Sequence, residues 1–131
     1  MQPGESMTRM MGILLADRSF ERAHHAFVLA AGSLALGREV VLFAGGLAVE
    51  ALRQDWSGLE GAALDHRFQE SGVAGFETLR AAFFELGGEM LACEAGMKVA
   101  GLGEEDLCAG VRVCGVTSFL QRTAEAQILS L

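Results

Sequence analysis

Runs of apolar residues that do not alternate with polar ones restrict most strongly what this chain can become. Residues 10–16 read Met-Met-Gly-Ile-Leu-Leu-Ala, and residues 40–44 read Val-Val-Leu-Phe-Ala. A strand with one wet face alternates polar and apolar side chains, whereas a strand that is apolar throughout has to be covered on both faces. Two such runs predict the interior of a parallel sheet with helices above and below it. Residues 89–93, Glu-Met-Leu-Ala-Cys, give a third strand. Residues 111–116, Val-Arg-Val-Cys-Gly-Val, give a fourth, whose β-branched content suits an interior position, and residues 127–131 add a last one.

Between these runs the period changes from continuous to helical. Ser19 stands where an N-cap belongs, Phe20, Ala23, Phe27, Ala30 and Leu34 recur at helical spacing through Leu36, and Gly37 supplies the stop. Phe76, Leu79, Phe83 and Leu86 repeat the pattern, with Glu77, Arg80 and Glu85 on the surface and Gly87 and Gly88 at the end. Shorter helices are expected over residues 47–54 and 104–109. Ser118, three residues before Gln121, resembles a capping box that opens a helix running to Ala126. Residues 55–72, rich in Gly, Asp, Glu and Ser, read as an excursion or lid.

Strand and helix in alternation predict right-handed crossovers and a doubly wound, flavodoxin-like three-layer α/β fold. Its sheet has four or five mostly parallel strands with helices on both faces. Residues 1–8 lack periodicity and read as a frayed end, leaving residues 9–131 as a single domain.

In sheets of this kind the reactive group lies beyond the carboxyl ends of the strands, where Asp17, Gly45, Cys93 and Thr117 all fall. Cys93 sits where a strand stops and a helical turn starts. Free backbone N–H groups and the positive end of a helix dipole at such a turn favour a thiolate, and Ala92, Ala95 and Gly96 leave room around it. A packed thiol closing a buried strand is the competing reading. Cys108 and Cys114 read as packing residues of a helix and a core strand. His24 lies near the same rim, where an imidazole could orient or deprotonate a sulfur species, although surface or subunit contact is the plainer role for His24 and His25. Asp17, Ser19, Thr117 and Ser118 are expected as helix caps, with support of the site secondary.

Several classes are disfavoured. A formal net charge of -7 without any basic cluster argues against nucleic acid and anionic membranes as partners. No apolar run approaches the roughly 18–20 residues of a membrane span, and residues 1–11 lack the pattern of a signal peptide, so a cytoplasmic protein is expected. Three cysteines without CxxC spacing suggest neither a disulfide framework nor a zinc site, and adjacent His24 and His25 point to different sides of a helix, so no metal is expected. Gly45 and Gly46 lack GxGxxG spacing and GxxxxGK[ST] is absent, so no nucleotide or other cofactor is implied. A mean hydropathy of +0.33 is high for a small soluble chain and predicts a buried subunit interface.

Taken together, the apolar strand at Gly12 to Ala16, the long helix ending at Gly37, the strand at residues 40–44, and the stretch Leu86-Gly87-Gly88-Glu89-Met90-Leu91-Ala92-Cys93-Glu94-Ala95-Gly96-Met97-Lys98 resemble the DsrE/DsrF/DsrH family of small sulfur-relay proteins. Gly101-Leu102 and Gly110-Val111 continue the likeness, which runs over nearly the whole chain from Met11. The resemblance implies the fold outlined above and assembly as a homo-oligomer, a trimer or hexamer. It also implies a cysteine that accepts sulfane sulfur as a persulfide from one protein and passes it to another. That role falls on Cys93. No second cysteine stands in an obvious resolving position in the sequence, so the relay is expected to hand its sulfur to a partner. The alternative is a non-catalytic oligomeric binding or assembly module of the same fold.

Overall fold

The continuous apolar runs do form the centre of the sheet. In the computed structural model, which describes residues 9–131, β1 (Met11–Leu15) pairs in parallel with β2 (Val40–Ala44), and β2 with β3 (Glu89–Cys93). Two short strands, β4 (Arg112–Cys114) and β5 (Gln127–Ser130), complete a five-stranded parallel sheet of order β4-β3-β2-β1-β5. The expected frayed end, residues 1–8, lies outside the described residues.

Strand order decides which face each helix covers. The steps from β1 to β2, β3 and β4 all move in one direction along the sheet, so right-handed crossovers put their helices on one face. These are α1 (Phe20–Ala35), α2 (Leu64–Glu70), α3 (Phe76–Glu85) and α4 (Glu94–Ala100). The step from β4 back to β5 runs the other way, and its helix α5 (Val116–Arg122) covers the opposite face alone.

The two faces are filled unequally. On the first, Ile13, Leu15, Leu42, Met90 and Ala92 are buried beneath Phe20, Phe27, Phe76 and Phe83. The Phe27 ring meets Phe76 and Phe83 edge-on at 5.4 and 5.6 Å. On the second face the buried set is Val41, Phe43, Leu91 and Phe119, with the Phe43 and Phe119 rings stacked 4.9 Å apart. At Gly12 a Cβ would run into Ile128 Cδ1 of β5 and the methyl of Thr123, just past α5, so this interruption of the first apolar run makes room for those two side chains.

Several expectations are corrected. Residues 55–72 are not a detached lid: they hold a 3₁₀ turn (Trp56–Gly58) and α2, and Trp56 and Phe68 pack on Phe20 at 5.9 and 5.5 Å. Arg80 is buried rather than exposed. Its Nη1 donates to the carbonyls of Ala51 (3.0 Å) and Arg53 (2.6 Å), ending the 3₁₀ segment Gly46–Leu52. That segment and the turn Glu104–Asp106 stand where α-helices were expected at 47–54 and 104–109. β4 is an edge strand, because β-branched residues favour pleated backbone without specifying a central place. The helix expected from Ser118 begins earlier, with Gly115 as its N-cap, so Ser118 and Thr117 lie inside the first turn and neither caps it.

Candidate functional site

Cys93 ends β3 and is at once the N-cap residue of α4, with φ −65° and ψ 122°. The change from strand to helix therefore takes place at the thiol itself, as the sequence predicted. The residue is half-buried. Its turn is pinned from the other side by Gly96, where a Cβ would collide with the backbone of Gly46, so α4 lies directly against the loop leaving β2. Glu94 and Lys98 lie 3.8 Å apart across one helical turn, both largely exposed.

Cys93 stands at the point where the crossovers diverge. The chain leaving β3 turns toward the first face to form α4, whereas the chain leaving the neighbouring strand β4 turns toward the second face to form α5. Adjacent parallel strands whose connections part in opposite directions leave a crevice at their carboxyl ends, which is where open α/β sheets bind their ligands. The two residues that end those strands are Cys93 and Cys114, paired in register.

Strand register puts both thiols on the same face. Leu91 pairs with Arg112 and Cys93 with Cys114, and residues two apart share a side of the sheet. The ion pair from Arg112 to Glu89 at 3.1 Å, between the preceding members of those two rows, fits the same assignment. Cys93 and Cys114 both rest against the cluster of Val41, Phe43, Leu91 and Phe119, and both are free. Burial pushes the Cys114 thiol pKa up. The nearby Arg112 guanidinium opposes the rise, while Cys93, Glu89 and Glu94 add to it.

The supporting residues named from the sequence lie on other elements: Asp17 after β1, His24 on α1, and Thr117 and Ser118 on α5. His24 is buried, neither solvated nor at a surface: its Nε2 lies 2.8 Å from the carbonyl oxygen of Ala74, and its ring meets Phe68 edge-on at 4.8 Å. His25 is exposed. Ser19 caps α1 as expected, its Oγ accepting from Arg22 N at 3.3 Å, whereas Asp17 does not cap the helix: its Oδ1 accepts from Ser19 N at 2.9 Å and its Oδ2 lies 3.6 Å from Arg22 Nε. It lines an open cavity of about 390 Å³ with Ala16, Arg18, Ser19, Leu47 and Glu60, at the end of β1. Thr117 and Ser118 are exposed on α5, just beyond Cys114.

The DsrE/DsrF/DrsH-like family matches residues 46–130, more than half of the chain. The protein belongs to this family. Two solved structures share the fold of this DsrE-like chain. The ychN protein from E. coli is 16% identical with a TM-score of 0.73, covering 95% of this chain and 100% of that one. MTH1491 from Methanobacterium thermoautotrophicum, a protein of unknown function, is 17% identical with a TM-score of 0.60, covering 93% and 99%. No curated protein matches.

Among the described residues of this DsrE-like chain, no group of three or more His, Cys, Asp or Glu side chains is placed to hold a metal ion, and no helix is long and apolar enough to cross a membrane. Sequence reasoning missed two features. One is Cys114, taken for a core residue and found level with Cys93 on an edge strand. The other is the hollow of about 450 Å³ beside Arg80, Cys108, Gln54, Glu77 and Ala109. Arg80 serves backbone carbonyls there, and its Nε is buried without a partner. Burial likewise pushes the Cys108 thiol pKa up, with the Arg80 charge opposing.

Proposed function

We propose that this chain is a sulfur carrier that holds sulfane sulfur as a persulfide on Cys93. One observation carries the reading: a half-buried, free cysteine ends a central strand at the divergence of the crossovers and opens the next helix. In the loading step the Cys93 thiolate attacks the outer sulfur of a donor persulfide. The donor's S–S bond breaks, the donor leaves as a thiolate, and Cys93 carries the extra sulfur. An acceptor thiolate then attacks that outer sulfur and returns Cys93 as a thiolate. Neither step needs an outside oxidant or reductant. Donor and acceptor are read as protein thiols, since the net charge of -7 disfavours nucleic acid. Three free cysteines fit the reducing cytoplasm.

The test uses a chain keeping Cys93 as its sole cysteine (Cys108→Ser, Cys114→Ser). Treated with glutathione persulfide, it is expected to gain the mass of one sulfur atom, and a chain carrying Cys93→Ser is expected to gain none at that position. No gain in the first, or an equal gain in both, refutes the reading.

Self-association belongs to the same proposal. The second face carries one short helix, and Val116, Leu120 and Ile128 are exposed there at 52%, 59% and 45%. Such apolar surface favours burial against another copy. Light scattering is expected to give a trimer or hexamer, and a monomeric mass refutes it.

A further inference from the structure

We propose that Cys114 is the resolving thiol of Cys93, so that a persulfide left on Cys93 without an acceptor is cleared inside the chain as hydrosulfide. This rests on the carrier reading of Cys93 and adds to it a second activity and a second reacting residue.

The placement carries the inference. Cys93 and Cys114 are register partners on neighbouring parallel strands. Neighbouring strands lie about 4.7–4.9 Å apart, and the Cα atoms joined by a disulfide lie about 4.4–6.8 Å apart, so the strand spacing itself falls in the range a disulfide accepts. Both side chains belong to the same face and touch the same apolar cluster. β4 is three residues long and pairs only with β3 among the described residues, so the small adjustment that an S–S bond needs falls on an edge with no further strand to disturb. Cys108 is set apart, its Sγ directed at the carbonyl oxygen of Arg53 at 3.8 Å.

The step balances without an added oxidant. The Cys114 thiolate attacks Cys93 Sγ, the inner sulfur of the persulfide. A bond forms between the two cysteine sulfurs, the bond to the outer sulfur breaks, and that sulfur leaves with the electron pair as hydrosulfide. The two cysteines are oxidised to a disulfide and the sulfane sulfur is reduced to sulfide. Hydrosulfide is a weakly basic leaving group, which favours this direction of attack. A dithiol reductant then reopens the disulfide.

Trypsin separates the three cysteines onto peptides 81–98, 99–112 and 113–122, so each sulfur can be followed. A Cys108→Ser chain is loaded with glutathione persulfide, freed of excess donor and incubated without acceptor. Hydrosulfide is trapped with a bimane reagent, and peptides are mapped without reduction. The expected result is about one hydrosulfide per loaded chain, loss of the added sulfur, and a disulfide joining peptides 81–98 and 113–122. With Cys114→Ser added, or Cys114→Ala should serine disturb the edge, the extra sulfur stays on Cys93 and hydrosulfide falls to the level of a mock-loaded chain. An adduct on the Cys108→Ser chain as persistent as that of the chain with Cys114 also replaced overturns the resolving step alone, as does recovery of the added sulfur on peptide 113–122. No added sulfur on Cys93 in the Cys114 variant overturns the carrier reading, and this step with it. Diamide treatment of the unloaded Cys108→Ser chain is expected to link the same two peptides, and absence of that link refutes the pairing whatever the donor does.

Discussion

Replacing Gly96 by alanine tests the packing that fixes the Cys93 turn, because two opposing effects meet at this residue. Inside an exposed helix, glycine to alanine stabilises by about 1 kcal/mol, since alanine leaves the unfolded chain less freedom to lose. Gly32 in α1 is such a position, with nothing within 4 Å of the added methyl group. At Gly96 the added Cβ meets the Gly46 backbone, with N and C at 3.0 and 3.1 Å and the carbonyl oxygen closer still. Backbone cannot rotate aside as a side chain does, so the strain falls toward the upper end of the about 1–3 kcal/mol typical of overpacking. Strain of about 3 kcal/mol against a gain of about 1 leaves Gly96→Ala about 2 kcal/mol less stable, while Gly32→Ala gains about 1. In a chain of this length those values correspond to a melting temperature lower by about 6–10 °C for Gly96→Ala and higher by about 3–5 °C for Gly32→Ala. Thermal unfolding of the two variants beside the wild type measures both. A Gly96→Ala protein that melts at or above the wild type refutes the close approach of α4 to the loop after β2.

Three further outcomes follow from groups away from the thiols. Asp65 is buried and accepts from Phe76 N and Gln69 Nε2, both at 2.8 Å, so it caps α3 where Gly75 has no side chain to do so. Asp65→Ala should cost about 1–3 kcal/mol by urea unfolding, and Asp65→Asn, which keeps an acceptor, less. Arg80→Lys should lose about 2 kcal/mol or more, because one ammonium cannot reproduce a guanidinium fork that serves two carbonyls and Glu77. The buried Cys108 thiol has its pKa raised on folding, so its contribution is complete below the unfolded thiol value, about 8.5, and is lost as pH rises through the folded one. Cys108→Ala should flatten the alkaline limb of the stability profile, measured by urea unfolding between neutral and alkaline pH.

The sequence was most legible where burial is symmetrical. β2 and β3 are apolar on both sides because both faces are covered, and their limits were readable to the residue. The limits of α1 followed from Ser19 and Gly37, and those of α3 from its apolar spacing and the glycines beyond it. Legibility failed where a residue's role depends on something distant in the chain. Arg80 fits a solvated face by spacing, yet it is drawn inward by carbonyls some thirty positions earlier. Residues 55–72 are poor in apolar residues, but two well-placed rings, Trp56 and Phe68, are enough to fasten them. Ser118 and Gln121 matched a capping box by spacing alone, while the chain used Gly115. The cysteine pair was hidden for the same reason: nothing in a sequence states strand register. One clue was present, since Cys93 and Cys114 each end a strand whose following helix begins within two residues.

The unequal covering of the sheet gives the molecule a stiff side and a soft side. On the first face the phenylalanine rings interlock across helices, so opening any one of them disturbs the others. On the second, α5 is held mainly by the Phe119 ring on Phe43 and by the partly exposed Arg122–Glu89 contact at 3.2 Å. Local opening follows the cheaper route, which lifts α5 and leaves the first-face core intact. Both thiols rest against the cluster that α5 covers. Both are already partly exposed with α5 in place, and opening of its seven residues bares more of the surface around them, so the reach of a bulky partner toward the sulfurs can be tuned at Phe119 without touching a cysteine.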